Sequence, residues 1–197
     1  MDRLFLRSLE KCLDVNYMAL KSTIYKADLQ IADMDRHYYQ DHILTLARHP
    51  SETDERLMVR LLAFVRHAHA SLVFAKGLSD VDEPDLWQKD LTGAIELWID
   101  VGQPDDRRML KACGRASEVI VYSYSSTSAI CWGQVGNRVE RARNLSVYNL
   151  AAETSDALAA MAQRNMQFQC TVQDGQIWLS NGETPLQIDF TVLKGRG

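Results

Sequence analysis

From Leu20 to Ile31 polar and apolar residues alternate, and Thr23, Ile24 and Ile31 add β-branched side chains, so this stretch predicts a strand. The polar run Asp33–Arg36 predicts a turn, and alternation resumes over His42–Ala47 as an antiparallel partner. After Pro50-Ser51 the period lengthens. Leu57, Met58, Leu61, Leu62, Phe64 and Val65 fall on one helical face. Ser51, with Asp54 three residues on, has the form of a capping box.

A short strand over Leu72–Leu78 and a loop over Ser79–Pro84 come next, then a strand start at Asp85–Lys89 and a turn at Asp90–Gly93. Ala94–Val101 is apolar enough for burial on both faces. Pro104 opens a helix that ends near Gly114 or Ala116. Strands over Glu118–Tyr124 and Asn144–Leu150 then alternate with helices over Thr127–Arg141 and Glu153–Gln163. Asp174-Gly175 between two alternating runs, Asn165–Val172 and Gln176–Leu179, signals a hairpin, and Leu186–Leu193 gives a last strand. The expected fold is α/β (α+β): a mixed sheet flanked by helices, with N-terminal antiparallel strands and a C-terminal hairpin.

A chain of 197 residues has the size of one domain. The net charge of −4 provides no global basic field, so any nucleic-acid contact must come from a local patch or a bound cation. Cysteines at 12, 113, 131 and 170 form no Cys-x-x-Cys pair, and a disulfide framework or structural zinc site is not expected. The histidines at 37, 42, 49, 67 and 69 form no His-Glu-x-x-His pattern. No Gly-x-Ser-x-Gly elbow, dinucleotide fingerprint or Walker loop is present. No apolar run reaches the roughly 20 residues that span a bilayer. A cytoplasmic monomer with no membrane contact is the expectation.

The chemistry concentrates between Asp82 and Lys111. Hydrolysis of a phosphodiester needs converging carboxylates for a hard divalent cation and a positive group near the scissile phosphate. Pro84-Asp85 precedes a strand in which Glu96, Trp98 and Asp100 share one face. Asp85 lies 15 positions before Asp100, a spacing suited to two arms of a hairpin. The order resembles the Pro-Asp…Asp/Glu-x-Lys constellation of metal-dependent nucleases, and two alignments to it compete: Asp85 with Asp100, leaving Gly102 in the lysine slot, or Asp85 with Glu96, leaving Trp98 there. The strand-end position of Asp100 favours the first. Arg107, Lys111 and Arg115 share a helical face, with Lys111 the candidate for the missing cation and Arg107 and Arg115 read as solvated. Glu55, on the border of the first helix's apolar face, is a further candidate ligand, against a plain first-turn glutamate favoured by the helix dipole. Asp82 and Glu83 read as loop residues, and Trp87 and Trp98 as packing residues rather than base-stacking platforms.

Several separated blocks resemble the YaeQ family: Met18-Ala19-Leu20-Lys21-Ser22-Thr23-Ile24-Tyr25-Lys26-Ala27, Leu44–Arg56, Asp82-Glu83-Pro84, Leu97-Trp98-Ile99 and Gln173–Ser180. The resemblance covers residues 18 to the C-terminus, so 18–197 is expected to be one domain. Residues 1–17 read as an upstream extension, or alternatively as an amphipathic helix. The resemblance implies a restriction-endonuclease-like core, placed at about Ser51–Leu150, with a variant of the Pro-Asp…Asp/Glu-x-Lys (PD-(D/E)XK) nuclease site. Two functions then compete. One is metal-dependent phosphodiester hydrolysis with Mg²⁺ or Mn²⁺ on Asp85 and Asp100, joined by Glu55 or Glu96. The other is a catalytically degenerate nuclease fold that binds nucleic acid or a protein partner.

Overall fold

The computed structural model describes residues 22–76, 78, 80, 82–183 and 185–197. The proposed extension at 1–17 lies outside the described residues. Among the described residues, eleven strands form two mixed sheets. The first runs β10-β9-β8-β1-β2, from β1 (Thr23–Asp33), β2 (Tyr38–Arg48), β8 (Asn165–Gln173), β9 (Gln176–Ser180) and β10 (Leu186–Ile188). The second runs β11-β7-β6-β5-β4-β3, from β3 (Leu72–Phe74), β4 (Leu86–Lys89), β5 (Ile95–Val101), β6 (Ala116–Ser123), β7 (Leu145–Leu150) and β11 (Phe190–Lys194).

The alternation that predicts β1 and β2 is the pattern of a sheet with one covered face. Tyr25, Ala27, Leu29 and Ile31 are buried, and Lys26, Asp28 and Gln30 between them are exposed. The two strands pair antiparallel over their full length. β1 also pairs parallel with β8, so the predicted C-terminal hairpin joins the N-terminal pair instead of the central sheet. That hairpin turns at Asp174 and Gly175, with φ of 53° and 74°, the positive values that an Asp-Gly turn supplies. The single last strand expected at Leu186–Leu193 is two strands in different sheets, broken at Asp189.

Helix α1 (Asp54–Arg66) lies between the sheets. Its apolar face is the predicted one, but every residue from Leu57 to Val65 is buried, Arg60 included. One core joins α1 to the inner faces of both sheets, through Leu29 and Phe168 on one side and Leu86, Ile99 and Ile120 on the other. Thr53, not Ser51, caps the helix, its side chain accepting from the Arg56 N–H; Ser51 instead bonds the His49 ring. α4 (Ala152–Ala160) places Leu158 in the same core. On the far side of the second sheet, α2 (Asp106–Cys113) and α3 (Ser128–Val139) cover Trp98, Val119, Val121 and Val147. They are the crossovers of the parallel run β5-β6-β7. β5 is an inner strand, hydrogen-bonded to β4 and β6.

At the end of α1 the His67 ring meets the Tyr122 hydroxyl at 2.6 Å, and Arg66 packs over Tyr148 and Phe190. Burial, with the charges of Arg66 and Arg36 added, lowers the His67 pKa to about 3. The folded chain therefore refuses a proton that the unfolded chain accepts below about pH 6.5, and stability contributed by neutral His67 is lost as pH falls through that window. Between pH 7 and pH 5 the wild type should lose about 2 kcal/mol more unfolding free energy than His67→Gln. Urea unfolding of both proteins at the two pH values checks this; equal losses would remove His67 from the acid limb.

Candidate functional site

Register brings Asp85 and Asp100 together. β4 and β5 pair with Leu86 opposite Ile99, and the Asp85 N–H donates to the Ile99 carbonyl at 3.0 Å, so the two acids face one another at the strand ends. Both are buried, Asp85 to 1% and Asp100 to 2% exposure. Two carboxylates this deep need compensation, because desolvation penalises each charge.

Arginines supply it. Arg56, one turn into α1, places Nη2 2.7 Å and 2.8 Å from the two Asp85 oxygens. Asp85 Oδ2 also accepts the Val101 N–H at 2.8 Å. From α2, Arg108 donates through Nη2 to Asp100 Oδ1 at 2.7 Å and through Nε to Oδ2 at 3.1 Å, and the Trp98 indole N–H donates to Oδ2 at 3.1 Å. Arg108 also reaches the Glu83 carbonyl. Glu52, 5% exposed, holds the other side of Arg56 at 3.0 Å and accepts from Arg60 Nη2 at 2.9 Å. Arg60 Nε lies 2.7 Å from the same carboxylate as an ion pair, with its N–H turned away from hydrogen-bonding alignment. The result is a chain of alternating charge, Arg60–Glu52–Arg56–Asp85, next to the Arg108–Asp100 pair.

The electrostatics follow this geometry. Burial raises the Asp100 pKa and the nearby Asp85 charge adds to it, while Arg108 and the Trp98 N–H oppose both. Burial pulls the Arg56 pKa down, but Asp85 and Glu52 more than offset it and hold the guanidinium above its ordinary value. Tyr124, at the end of β6, is pushed up to about 12 by burial, with Arg56 opposing and Glu55, Glu52 and Asp85 adding to the rise.

The remaining predicted residues lie elsewhere. The Lys111 ammonium pairs with Asp82, and Arg115 donates to the Asp82 carbonyl. The cations on Asp85 and Asp100 are thus Arg56 and Arg108. Glu96 is exposed near the other end of β5 and accepts from the Gln88 amide at 2.8 Å. Glu55 accepts from the Ser155 hydroxyl of α4 at 2.6 Å. Among the described residues no three His, Cys, Asp or Glu side chains are grouped to hold a metal ion. A cation on Asp85 and Asp100 would meet oxygens that guanidinium and N–H donors already occupy, so these donors fit a metal only after Arg56 or Arg108 withdraws.

Sequence reasoning passed over Glu52, Arg56 and Arg60 as site residues. Their signal was present: a Glu-Arg-Arg series at i, i+4, i+8 is a ladder along one helical face, here in a helix with a long apolar run. Arg108 differs from its neighbour Arg107 only in facing the strand.

The fold and these residues define a mixed α/β protein with a buried, arginine-clamped acidic pair at the end of an inner strand. The chain belongs to the YaeQ family, whose model matches residues 18–190. It is 47% identical over 175 residues to the YaeQ protein of Escherichia coli (strain K12), covering 88% of this chain and 97% of that one. The crystal structure of the YaeQ protein from Xanthomonas axonopodis pv. citri is similar at a TM-score of 0.84 and 47% identity, over 88% of this chain and 98% of that one. That of the YaeQ protein from Pseudomonas syringae is similar at 0.86 and 34%, over 89% and 98%.

Removing the shared cation leaves Asp85 without its ionic partner and strips one from Glu52. Arg56→Ala should therefore cost about 3–5 kcal/mol of unfolding free energy at pH 7. Arg56→Lys should recover only part, because an ammonium lacks the planar fork that spans both acids. Urea denaturation of the three proteins decides the matter, and a loss below about 1 kcal/mol for Arg56→Ala would mean the clamp contributes little.

Proposed function

We propose that this chain is a nuclease-like module that binds its partner, nucleic acid or protein, without hydrolysing it. The observation that carries this reading is the occupancy of the acidic pair: all four oxygens of Asp85 and Asp100 already accept from arginine, backbone or indole N–H groups. A hydrolytic site of the Pro-Asp…Asp/Glu-x-Lys type needs those oxygens for Mg²⁺ or Mn²⁺ and a separate cation for the phosphate. Here the separate cation, Lys111, is engaged by Asp82.

A second reading keeps the enzyme. Asp85 and Asp100 are close enough for the charge of one to raise the pKa of the other, the juxtaposition a divalent cation relieves. In that reading Asp85 and Asp100 would hold Mg²⁺ or Mn²⁺, whose chemistry would be an activated water, and Arg56 and Arg108, released from the carboxylates, would face the phosphate. Glu55 and Tyr124 border the same region and would orient the substrate.

Incubation with single- and double-stranded DNA and RNA in Mn²⁺, beside calorimetric titration of the ion, separates the two. The binding module predicts background cleavage equal to that of Asp100→Asn on all four substrates. It also predicts that Mn²⁺ binding gains at least tenfold when Arg56→Gln unclamps Asp85. Cleavage by the wild type that Asp100→Asn abolishes would establish the enzyme and overturn the binding module.

A further inference from the structure

Asp100 sits at the C-terminal end of the parallel run β5-β6-β7, and basic residues gather at its other end. There α3 ends, β7 begins and β11 finishes. Arg138, Arg141 and Arg143 are exposed along the α3–β7 connection. The Gly197 N–H donates to the Arg143 carbonyl at 3.1 Å, which lays the end of the chain, with Lys194 and Arg196, beside them. Lys194 itself stands opposite Val147 in the sheet. Arg138 and Arg196 pair with Asp106 and Glu118 at 3.2 Å and 3.5 Å. Arg141, Arg143 and Lys194 have no acidic partner among the described residues, and Glu140 is the one acid within the segment 138–143. On a chain of net charge −4 this corner is a local positive field, suited to a polyanion.

A half-buried indole, Trp132, packed on one side against the core beneath α3, adjoins it. Trp132, Gly133, Gly136 and Asn137 of α3, with Glu140 just after it, line a cavity of about 280 Å³ with Leu193 and Lys194 of β11. A Cβ on Gly136 would sit 3.0 Å from Trp132 Cε2, so the bare glycine lets the indole lie against the helix. The indole N–H makes no hydrogen bond among the described residues. An aromatic ring beside a cation that has no acidic partner, with further arginines in the same corner, is an arrangement on which a base stacks while neighbouring phosphates are neutralised.

We propose that this corner binds single-stranded nucleic acid, with a base on the Trp132 indole and flanking phosphates on Arg141, Arg143 and Lys194. The inference goes beyond the binding-module reading, since it names the ligand and uses side chains other than Asp85 and Asp100. It holds whether or not the acidic pair cleaves.

The test is fluorescence anisotropy with labelled dT and rU oligonucleotides of about 12 nucleotides, in EDTA so that metal chemistry plays no part, across a salt series. The wild type should bind at about 50 mM salt with affinity falling steeply as salt rises. Arg141→Glu/Arg143→Glu should bind at least tenfold more weakly, with a log–log salt slope shallower by about 1.4, the share of two phosphate contacts on a single strand. Arg141→Lys/Arg143→Lys should retain most of the affinity. Trp132→Leu should weaken binding severalfold and leave the slope unchanged. Melting temperatures of the variants, whose arginines are exposed, check that each is folded. No binding by the wild type, wild-type affinity in the folded charge-reversal variant, or tighter binding to phosphatidylserine vesicles than to either oligonucleotide would overturn the proposal.

Discussion

Enclosure of α1 between two sheets is the constraint from which the rest of this structure follows. A helix with one face in water can carry charges there at little cost. Here Leu57 to Val65 are all covered, and the arginines of the same helix have no solvent face to occupy. Arg56 and Arg60 meet carboxylates, in both directions along the helix: both share Glu52, and Arg56 continues to Asp85 in the neighbouring sheet, while Arg66 at the helix end packs over aromatic rings. The helix thereby fixes the position of β4 by charge as well as by apolar contact. Guanidinium suits this task, since its planar fork can satisfy two acids at once.

Much of the architecture was legible because each element carries its own local signal. The alternation of β1 encodes one covered face, the even apolarity of β5 encodes two, and Asp174-Gly175 sets its turn by backbone preference alone. The division into two sheets was not legible. It depends on β1 pairing with β8, a contact between segments whose local patterns say nothing about their partners. The break at Asp189 was missed for a related reason: three residues on one side and five on the other form a single alternating run, and only the two sheets pull them apart.

The acidic site was half legible. Pro84-Asp85 and the strand-end Asp100 could be picked out because acids in an apolar strand are conspicuous, and the antiparallel register of β4 and β5 places them face to face. Their cations could not be picked out by following the expected Asp/Glu-x-Lys spacing. That search settled on Lys111, a long side chain on an exposed helical face, which meets the loop acid Asp82 instead. Arg56 comes from 29 positions earlier in the chain, across the sheet packing, and sequence spacing cannot register such a meeting. Burial decides which basic residue answers a buried acid, and burial belongs to the assembled fold.

The passage of the chain from β10 to β11 has a consequence for how the protein is made. Ile188 is the last residue of one sheet and Phe190 starts the edge of the other. Neither sheet can be completed until the C-terminal segment has emerged, and β1, among the first described segments, waits for β8, with Lys26 pairing to Asn165. Loop closure over such separations precedes any reward from the contacts it forms, which slows the search for the native state. During synthesis on the ribosome, β1 and β2 are consequently exposed as a two-stranded ribbon until β8 has emerged. That interval, more than any property of the finished molecule, is when this chain is open to capture by chaperones or by its own copies.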